Sequence, residues 1–310
     1  MKAGSSLPFA KEPPLPRLTA HDFPAPVLQL FDAYVHGSID RRQFLRRAAK
    51  FAAGGLTAAG MLEALQPNFA LAAEVSEADP RIATAYVDYA SPKGSGAMRG
   101  YLARPSSLAA KLPGVLVIHE NRGLNPYIMD VARRLAVDGF IAFAPDALSP
   151  LGGYPGDEDK ARALFAQLDQ SKTLQDFIAG YDLLGTRPDC SGKVGAVGFC
   201  WGGGMVNLLA INLPTLAAAV PFYGPIPPAS EVARIKAPML LHYAALDKGI
   251  TSGWPSFEKA LEAAHVDYQA YVYPDTQHGF HNDTTPRYDE AAAKLAWGRT
   301  IDFLNQHLKG

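Results

Sequence analysis

A cysteine stands at a position where the pattern around it normally carries a serine. The stretch Gly195-Ala-Val-Gly-Phe-Cys-Trp-Gly-Gly-Gly204 places Cys200 between an apolar run and a cluster of glycines. Its centre has the G-x-S-x-G form of a nucleophile elbow, with sulfur in place of the serine oxygen. Glycines on both sides permit the strained turn that raises such a side chain above a sheet. We predict that Cys200 is a nucleophile that forms a covalent intermediate, with a buried structural cysteine as the alternative.

A nucleophile of this kind needs a base, and the base needs a group that orients it. In enzymes with such an elbow the order along the chain is nucleophile, acid and histidine. Asp247 and His278 follow Cys200 in that order, and each comes just after a predicted strand. Asp275 is the alternative acid and His281 the alternative base. The spacing of Cys, His and Asp residues resembles no metal-ligand set, so we expect neither a metal nor a cofactor.

Alternating strand and helix signals after about residue 80 provide the elements that must position these side chains. Residues 83–90 and 98–103, joined by turn residues, predict an antiparallel hairpin. Short apolar, β-rich runs predict further strands at 114–118, 140–144, 194–198, 216–220, 239–243 and 268–272. Helices are predicted at 127–137, 158–168, 173–184, 205–211, 256–264 and 291–308. Strands that are apolar on both faces indicate a doubly wound, mostly parallel α/β sheet with helices on both faces.

The N-terminal residues differ in kind from this pattern. Residues 1–37, which begin with a proline-rich stretch, predict an irregular arm. Residues 38–73 contain Arg41-Arg42-Gln-Phe-Leu-Arg46, a small-residue apolar run and Ala70-Leu-Ala72. These parts resemble a twin-arginine export signal cleaved after Ala72, and an N-terminal helical segment lying on the domain is the alternative. We expect a periplasmic protein if the signal functions and a cytoplasmic one otherwise.

Composition and charge limit the partners of the chain. Its 310 residues include 29 basic and 30 acidic side chains, for a formal net charge of −1. A nearly neutral chain has no general attraction to nucleic acid or to an anionic membrane. The apolar run near the N-terminus is too interrupted for a membrane span, which needs about 20 apolar residues. We therefore expect one main domain over 80–310 that acts on a small molecule, in an oligomeric state left open.

Four residues together resemble a known family. Cys200 in Gly-Phe-Cys-Trp-Gly-Gly, Asp247, His278 in His-Gly-Phe, and Glu120 in Ile118-His-Glu-Asn-Arg-Gly-Leu-Asn125 are similar to the dienelactone hydrolase (carboxymethylenebutenolidase-like) family of α/β-hydrolases. The resemblance implies hydrolysis of an enol lactone or related ester through an acyl-cysteine. It also implies that Glu120 contacts the resting cysteine and helps to keep it a thiol. By the same resemblance, the backbone N–H groups of Trp201 and Asn121 form the oxyanion hole.

The chain departs from that family at the residues that would hold a substrate carboxylate. The resemblance implies two arginines, one after a Pro-Asp-Leu loop and one four residues past the histidine. Here those places read Pro145-Asp-Ala-Leu-Ser-Pro150 and Asn282, so neither arginine is present. Arg122 and Arg287 remain as candidates for this role. A neutral lactone or small ester therefore fits the pattern as well as dienelactone does.

Aromatic residues near the predicted site suggest an apolar substrate pocket. The candidates for its lining are Tyr127, Phe199, Trp201, Tyr223 and Phe280, with a purely structural role in the core as the alternative. Two other functions remain open for this fold. One is a non-catalytic protein that binds a small molecule, and the other is a thioesterase or peptidase.

Overall fold

A computed structural model describes residues 17–52, 56–71 and 73–310. Its strands form an eight-stranded sheet in the order β1-β2-β4-β3-β5-β6-β7-β8. In chain order these are β1 (Ile82–Ser91), β2 (Gly96–Pro105), β3 (Leu112–Ile118), β4 (Ile141–Pro145), β5 (Cys190–Phe199), β6 (Ala218–Phe222), β7 (Met239–Ala244) and β8 (Tyr268–Tyr273). β1 and β2 form the predicted antiparallel hairpin, and β2 also pairs antiparallel with β4. The remaining neighbours are parallel, so the mostly parallel sheet is confirmed.

Helices lie on both faces of the sheet. In chain order the α-helices of the described residues are α1 (Ala25–Val35), α2 (Arg41–Ala48), α3 (Ala58–Leu65), α4 (Pro126–Val137), α5 (Glu158–Phe165), α6 (Gln170–Thr186), α7 (Trp201–Asn212), α8 (Lys248–Thr251), α9 (Trp254–Ala263) and α10 (Glu290–Leu304). Apolar side chains of α5, α6, α7 and α9 pack on one face, and those of α4 and α10 pack on the other. β3 and β5 to β7 are almost wholly buried between these layers. Because both faces of these strands are covered by helices, their sequences are continuous apolar runs.

The N-terminal region is folded where the structure describes it. The prediction of an irregular arm is wrong for residues 25–35, which form α1. Pro24 and Pro26 flank the first residue of this helix, where proline is tolerated, so they do not break it. Val27, Leu28, Phe31 and Tyr34 recur at helical spacing and are buried. The arm's residues 1–16 lie outside the described part of the chain.

The basic stretch that resembles an export signal forms the next helix. Asp40 caps α2 by accepting a hydrogen bond from the backbone N–H of Gln43 at 2.7 Å. Phe44 and Ala48, one turn apart on α2, are buried. Together with α1 and α3 they form a cluster that is separate from the two cores of the sheet. Among the residues described, no helix is long and apolar enough to cross a membrane. We call residues 17–52, which include α1 and α2, the cap.

Candidate active site

Cys200 occupies a sharp turn between the end of β5 and the start of α7. Its backbone has φ 56° and ψ −120°, a strained combination for a residue with a side chain. The Cys200 N–H donates to the carbonyl oxygen of Phe222 in the neighbouring strand at 3.0 Å. Gly202 packs so closely on β3 that an added Cβ would lie 2.4 Å from the carbonyl oxygen of Ile118. The structure thus has the strand, turn and helix that the glycine pattern predicts around Cys200.

Asp247 and His278 meet beside this turn. Asp247 follows β7 and His278 follows β8, so parallel pairing of the two strands brings both loops to the same edge of the sheet. The Nδ1 atom of His278 lies 2.6 Å from Oδ2 of Asp247, and both side chains are buried. A ring nitrogen of His278 and the sulfur of Cys200 lie within 4.8 Å of each other. The arrangement is that of a nucleophile, a base and an orienting acid.

The alternative acid and base lie in other surroundings. Asp275 is exposed in a turn at φ 57°. His281 is buried, and its Nδ1 lies 2.7 Å from the hydroxyl oxygen of Tyr127. Burial holds the pKa of His281 well below its usual value, with the charge of Arg134 acting in the same direction. His281 is therefore placed as a neutral structural histidine, and the geometry favours Asp247 and His278 over both alternatives.

The charges in the site favour a thiolate paired with an imidazolium. Burial raises the pKa of the Cys200 thiol, but the positive charges of His278 and His36 outweigh burial and lower it to about 5. Burial lowers the pKa of His278, but the Cys200 charge and then the Asp247 hydrogen bond raise it to about 9. Between these pH values the pair carries opposite charges, which is the reactive form of a thiol nucleophile.

Glu120 and the expected oxyanion hole lie on the other side of Cys200. Glu120 follows β3, and its Oε2 accepts a hydrogen bond from Nδ2 of Asn282 at 2.9 Å. Burial raises the pKa of Glu120 to about 7, and the nearby Cys200 charge adds to this shift. Trp201 is the first residue of α7, where a backbone N–H has no partner within the helix. The roles of Glu120 and of the Trp201 and Asn121 amides remain predictions.

Both candidate arginines reach the site, but the guanidinium of Arg122 already contacts several other groups of the protein. Arg122 donates to Oδ1 of Asn121 at 2.6 Å and lies 3.6 Å from Glu158. Arg287 is buried next to Cys200 and lies 3.5 Å from Asp32 of the cap. At Arg122 a bound carboxylate would have to compete with these contacts, whereas Nε and Nη1 of Arg287 are buried without a hydrogen-bond partner among the described residues.

Four of the aromatic residues expected in a substrate pocket are instead part of the core. Tyr127, Phe199, Tyr223 and Phe280 are at most 1% exposed. Their rings pack on one another behind His278, with Phe199 and Tyr223 centroids 6.4 Å apart. The prediction that they line the pocket is therefore wrong, because their rings are buried in the apolar core on the α4 and α10 face of the sheet. Trp201 does line a cavity, with its ring stacked on His119 at 5.6 Å.

Two cavities meet at Cys200 and His278. The larger, of about 300 Å³, is lined mainly by apolar side chains that include Val35, Phe165, Trp201 and Ile250. The smaller, of about 30 Å³, has space for one water-sized group, and Glu120, Arg122 and Arg287 contribute to its lining. The larger cavity is thus the better fit for a substrate in this structure.

The sequence analysis missed His36, which comes from the cap. Its Nε2 lies 3.5 Å from the Cys200 sulfur, although the two residues are 164 positions apart. Asp32, one helical turn earlier, lies 3.4 Å from Nδ1 of His36. A single sequence carries no signal for this contact, because His36 stands at the end of an amphipathic helix and resembles an ordinary surface histidine.

Comparison with known proteins agrees with the fold. Residues 98–308 match the family model described as "Dienelactone hydrolase family". The chain belongs to the dienelactone hydrolase family. A second model, described as "YqhI-like", matches residues 15–51, which coincide closely with the cap. The cap is thus a recognised unit placed before a dienelactone hydrolase domain.

Individual members of the family show the same relationship. The chain is 32% identical over 231 residues to a Salmonella typhi protein named "Putative carboxymethylenebutenolidase", covering 70% of this chain and 85% of that one. It is 34% identical over 227 residues to a Bradyrhizobium protein named "Probable 2-oxo-3-(5-oxofuran-2-ylidene)propanoate lactonase", covering 68% and 90%. A crystal structure titled "Putative Dienelactone Hydrolase" from Klebsiella pneumoniae superposes with a TM-score of 0.65 at 29% identity, covering 72% of this chain and 99% of that one. The α/β-hydrolase fold is confirmed, and the chain is a hydrolase of this family.

Proposed function

We propose that this dienelactone hydrolase family member cleaves an ester or lactone bond through an acyl-cysteine formed on Cys200. The observation that carries the proposal is the convergence of Cys200, His278 and Asp247 at the carboxyl edge of the sheet. His278 contacts Asp247 at 2.6 Å, and its ring nitrogen lies within 4.8 Å of the Cys200 sulfur. This convergence supports roles for the three residues as nucleophile, base and orienting acid in acyl transfer.

The first half of the reaction is attack by the thiolate. The Cys200 sulfur adds to the carbonyl carbon, and the resulting oxyanion accepts hydrogen bonds from the backbone N–H groups of Trp201 and Asn121. The carbon–oxygen bond to the leaving group then breaks, and protonated His278 gives its proton to the departing oxygen. Asp247 stabilises the His278 cation throughout.

The second half releases the acid. Neutral His278 takes a proton from a water molecule, whose oxygen adds to the acyl carbon. The carbon–sulfur bond breaks, the carboxylic acid leaves, and the thiolate and the imidazolium are restored. With a lactone substrate, the leaving oxygen and the acid belong to the same ring-opened product.

The larger cavity favours an apolar, compact substrate. Its volume of about 300 Å³ is at the lower end of ligand sites, and its lining is mainly apolar. The relatives named for lactone hydrolysis support a lactone as the substrate class. Because the smaller cavity next to Arg287 holds only about 30 Å³, a neutral lactone or ester fits this arrangement better than a bulky dicarboxylate.

Ester hydrolysis by the full chain and two variants tests the proposal. The substrates are p-nitrophenyl acetate and a panel of simple enol lactones, with thioester and amide analogues alongside. Cys200→Ala should abolish turnover, and Cys200→Ser should retain a small fraction. Mass spectrometry of the quenched reaction should find an acyl adduct on the peptide that contains Cys200. Cys190→Ala is the matched control, since Cys190 is a second free, buried cysteine outside both cavities.

Any of three results contradicts the proposal. Equal turnover in the wild-type chain and Cys200→Ala would show that the sulfur is not the nucleophile. Ligand binding without turnover of any member of the panel would favour a binding protein, and preferential cleavage of thioesters or amides would favour a thioesterase or peptidase.

A further inference from the structure

The cap is anchored on the active site by polar contacts at the end of α1. The carbonyl oxygen of Val35 accepts hydrogen bonds from Nδ2 of Asn121 at 2.9 Å and from Arg122 at 3.2 Å. The carbonyl oxygen of Tyr34 accepts one from Arg162 at 2.7 Å. The last turn of a helix leaves its carbonyl groups without partners inside the helix, and the hydrolase domain supplies donors for two of them. This docking fixes the residue that follows, His36, over Cys200.

His36 brings a second imidazole to Cys200, next to that of His278. Its Nε2 is 3.5 Å from the sulfur, and its ring stands edge-to-face on the His278 ring with centroids 4.6 Å apart. Its Nδ1 lies 2.9 Å from the carbonyl oxygen and 3.4 Å from the carboxylate of Asp32. Two imidazoles therefore converge on one sulfur. His278 is held through Nδ1 by the Asp247 carboxylate, and His36 is held through Nδ1 by the backbone carbonyl of Asp32, with the Asp32 carboxylate nearby.

This arrangement differs from the one that the family resemblance implies. There, a glutamate at position 120 contacts the resting cysteine and helps to keep it a thiol. Here the Glu120 carboxylate bonds Asn282 at 2.9 Å, and the group beside the sulfur is the His36 imidazole. A protonated imidazole next to sulfur favours the thiolate rather than the thiol. The cap also leaves Cys200 only 3% exposed, which shields a standing thiolate from oxidants.

Several charged or titratable groups act on Cys200 from the elements around it. They are His36 and Asp32 of the cap, Glu120 and Arg122 after β3, Tyr223 after β6, Asp247 after β7, and His278 and Arg287 after β8. Burial lowers the pKa of His36, but the charge of Cys200 and the hydrogen bond to Asp32 outweigh burial and raise it. The His36 side chain keeps 32% of its surface exposed, so water screens its charge more than that of His278. His36 should therefore contribute less to the thiolate than His278 does.

We propose that the cap completes the active site, with His36 as a second imidazole that Asp32 positions to hold Cys200 as a thiolate before substrate binds. His36 also forms part of the wall of the larger cavity, together with Val35 and Gly37. The proposal rests on Cys200 being the nucleophile of the proposed function. It has a consequence for the predicted export signal, because cleavage after Ala72 would remove His36 together with the cap. His36 can therefore act only in a chain that retains the cap.

The pH dependence of Cys200 alkylation tests this proposal without any substrate. Iodoacetamide reacts with the thiolate, and peptide mass spectrometry separates Cys200 from Cys190. His36→Gln should move the midpoint of the alkylation curve to higher pH by about one unit, so that alkylation below the midpoint is about 10-fold slower. Asp32→Asn should shift the midpoint in the same direction by less. EDTA is present throughout, because His36, Cys200 and His278 could together hold a metal ion.

The control is His21→Gln, which removes an exposed histidine of the cap that lines neither cavity at Cys200. It should leave the midpoint unchanged. In the ester assay, kcat/KM of His36→Gln should fall about 10-fold at low pH and recover as the pH rises, whereas a merely structural defect would lower it at every pH. Near-ultraviolet circular dichroism checks that each variant is folded.

The outcomes separate this proposal from the proposed function. Midpoints of His36→Gln and Asp32→Asn that equal the wild-type value would overturn the role of His36, even if Cys200→Ala is inactive. Should His36→Gln fail to fold, Asp32→Asn alone decides between a shifted and an unshifted midpoint. If Cys200→Ala keeps full turnover, the proposed function fails, and the alkylation curve still reports whether His36 holds the thiolate.

Discussion

Gly202 offers the sharpest test of the packing that holds Cys200 in its strained turn. In Gly202→Ala, the new Cβ would lie 2.4 Å from the carbonyl oxygen of Ile118 and 2.5 Å from that of His119. Ordinary carbon–oxygen contacts are about 3.3 Å or longer, so one partner must move by about 0.9 Å. Both partners are backbone atoms, because Gly202 is in the first turn of α7 and the two oxygens lie at the end of β3. The nucleophile must therefore shift relative to the oxyanion amide of Asn121.

The expected loss follows from that displacement. A misplacement of about 1 Å in a catalytic geometry costs about 10²-fold in rate. Forcing a methyl group into a packed site costs about 1 to 3 kcal/mol of unfolding free energy. The better helix preference of alanine offsets about 0.5 to 1 kcal/mol of this. Gly202→Ala should thus lower kcat for p-nitrophenyl acetate about 10²-fold, with a modest fall in the melting temperature.

Gly298 provides the matched control. It also lies in a helix, α10, but an added Cβ would meet nothing within 4 Å. Gly298→Ala should leave kcat unchanged and stabilise the chain by about 0.5 to 1 kcal/mol, because alanine favours a helix interior. Steady-state kinetics and thermal unfolding of both variants, measured in parallel, provide the comparison. If Gly202→Ala keeps wild-type kcat and gains stability as Gly298→Ala does, close packing on β3 does not hold the nucleophile in place.

Three further predictions concern the charges around the nucleophile. Asp247→Asn should lower kcat on the ester panel about 10³- to 10⁴-fold without changing the fold. The reason is that His278 loses both its orientation and the charge that stabilises its cation. A loss below about 10-fold would show that Asp247 has no part in the mechanism. The pH profile of kcat/KM should be level between about 5 and 9: the lowered pKa of Cys200 keeps the thiolate until the pH falls through about 5, and the raised pKa of His278 keeps the cation until the pH rises through about 9. An acid limb at the pH of a free thiol, about 8.5, would contradict this assignment. Glu120→Gln should leave the Cys200 alkylation midpoint near its wild-type value of about 5, because Glu120, whose pKa is raised to about 7, is almost uncharged at that pH; a shift to lower pH would show that Glu120 carries a charge there that opposes the thiolate.

The pattern of short-range signals accounts for the parts of the fold that the sequence predicted correctly. The hairpin and the buried strands were identified because apolar runs bounded by turn residues depend on local preferences and on burial from both faces. The elbow at Cys200 could be predicted because its glycines are adjacent in the chain. Asp247 and His278 could be predicted because each ends a strand of a parallel sheet, so that topology alone brings them to one edge.

The errors arose where contacts join distant parts of the chain. The prolines before α1 favoured an irregular arm, whereas the burial of Phe31 and Tyr34 against other cap helices stabilises the helix. Aromatic residues beside the site were expected in a pocket, and the packing of Phe199 and Tyr223 on Phe222 places them in the core instead. In both cases tertiary burial outweighed the local pattern.

The sequence by itself predicted the class of chemistry, because Cys200, Asp247 and His278 stand at positions that strand order and chain order fix. The tertiary structure alone decided what covers that chemistry. It brought His36 to the Cys200 sulfur across 164 residues and gave the site its two unequal cavities. Such contacts depend on how one unit docks on another through groups such as Arg122 and the Val35 carbonyl, and no periodicity or spacing in a single sequence specifies that docking.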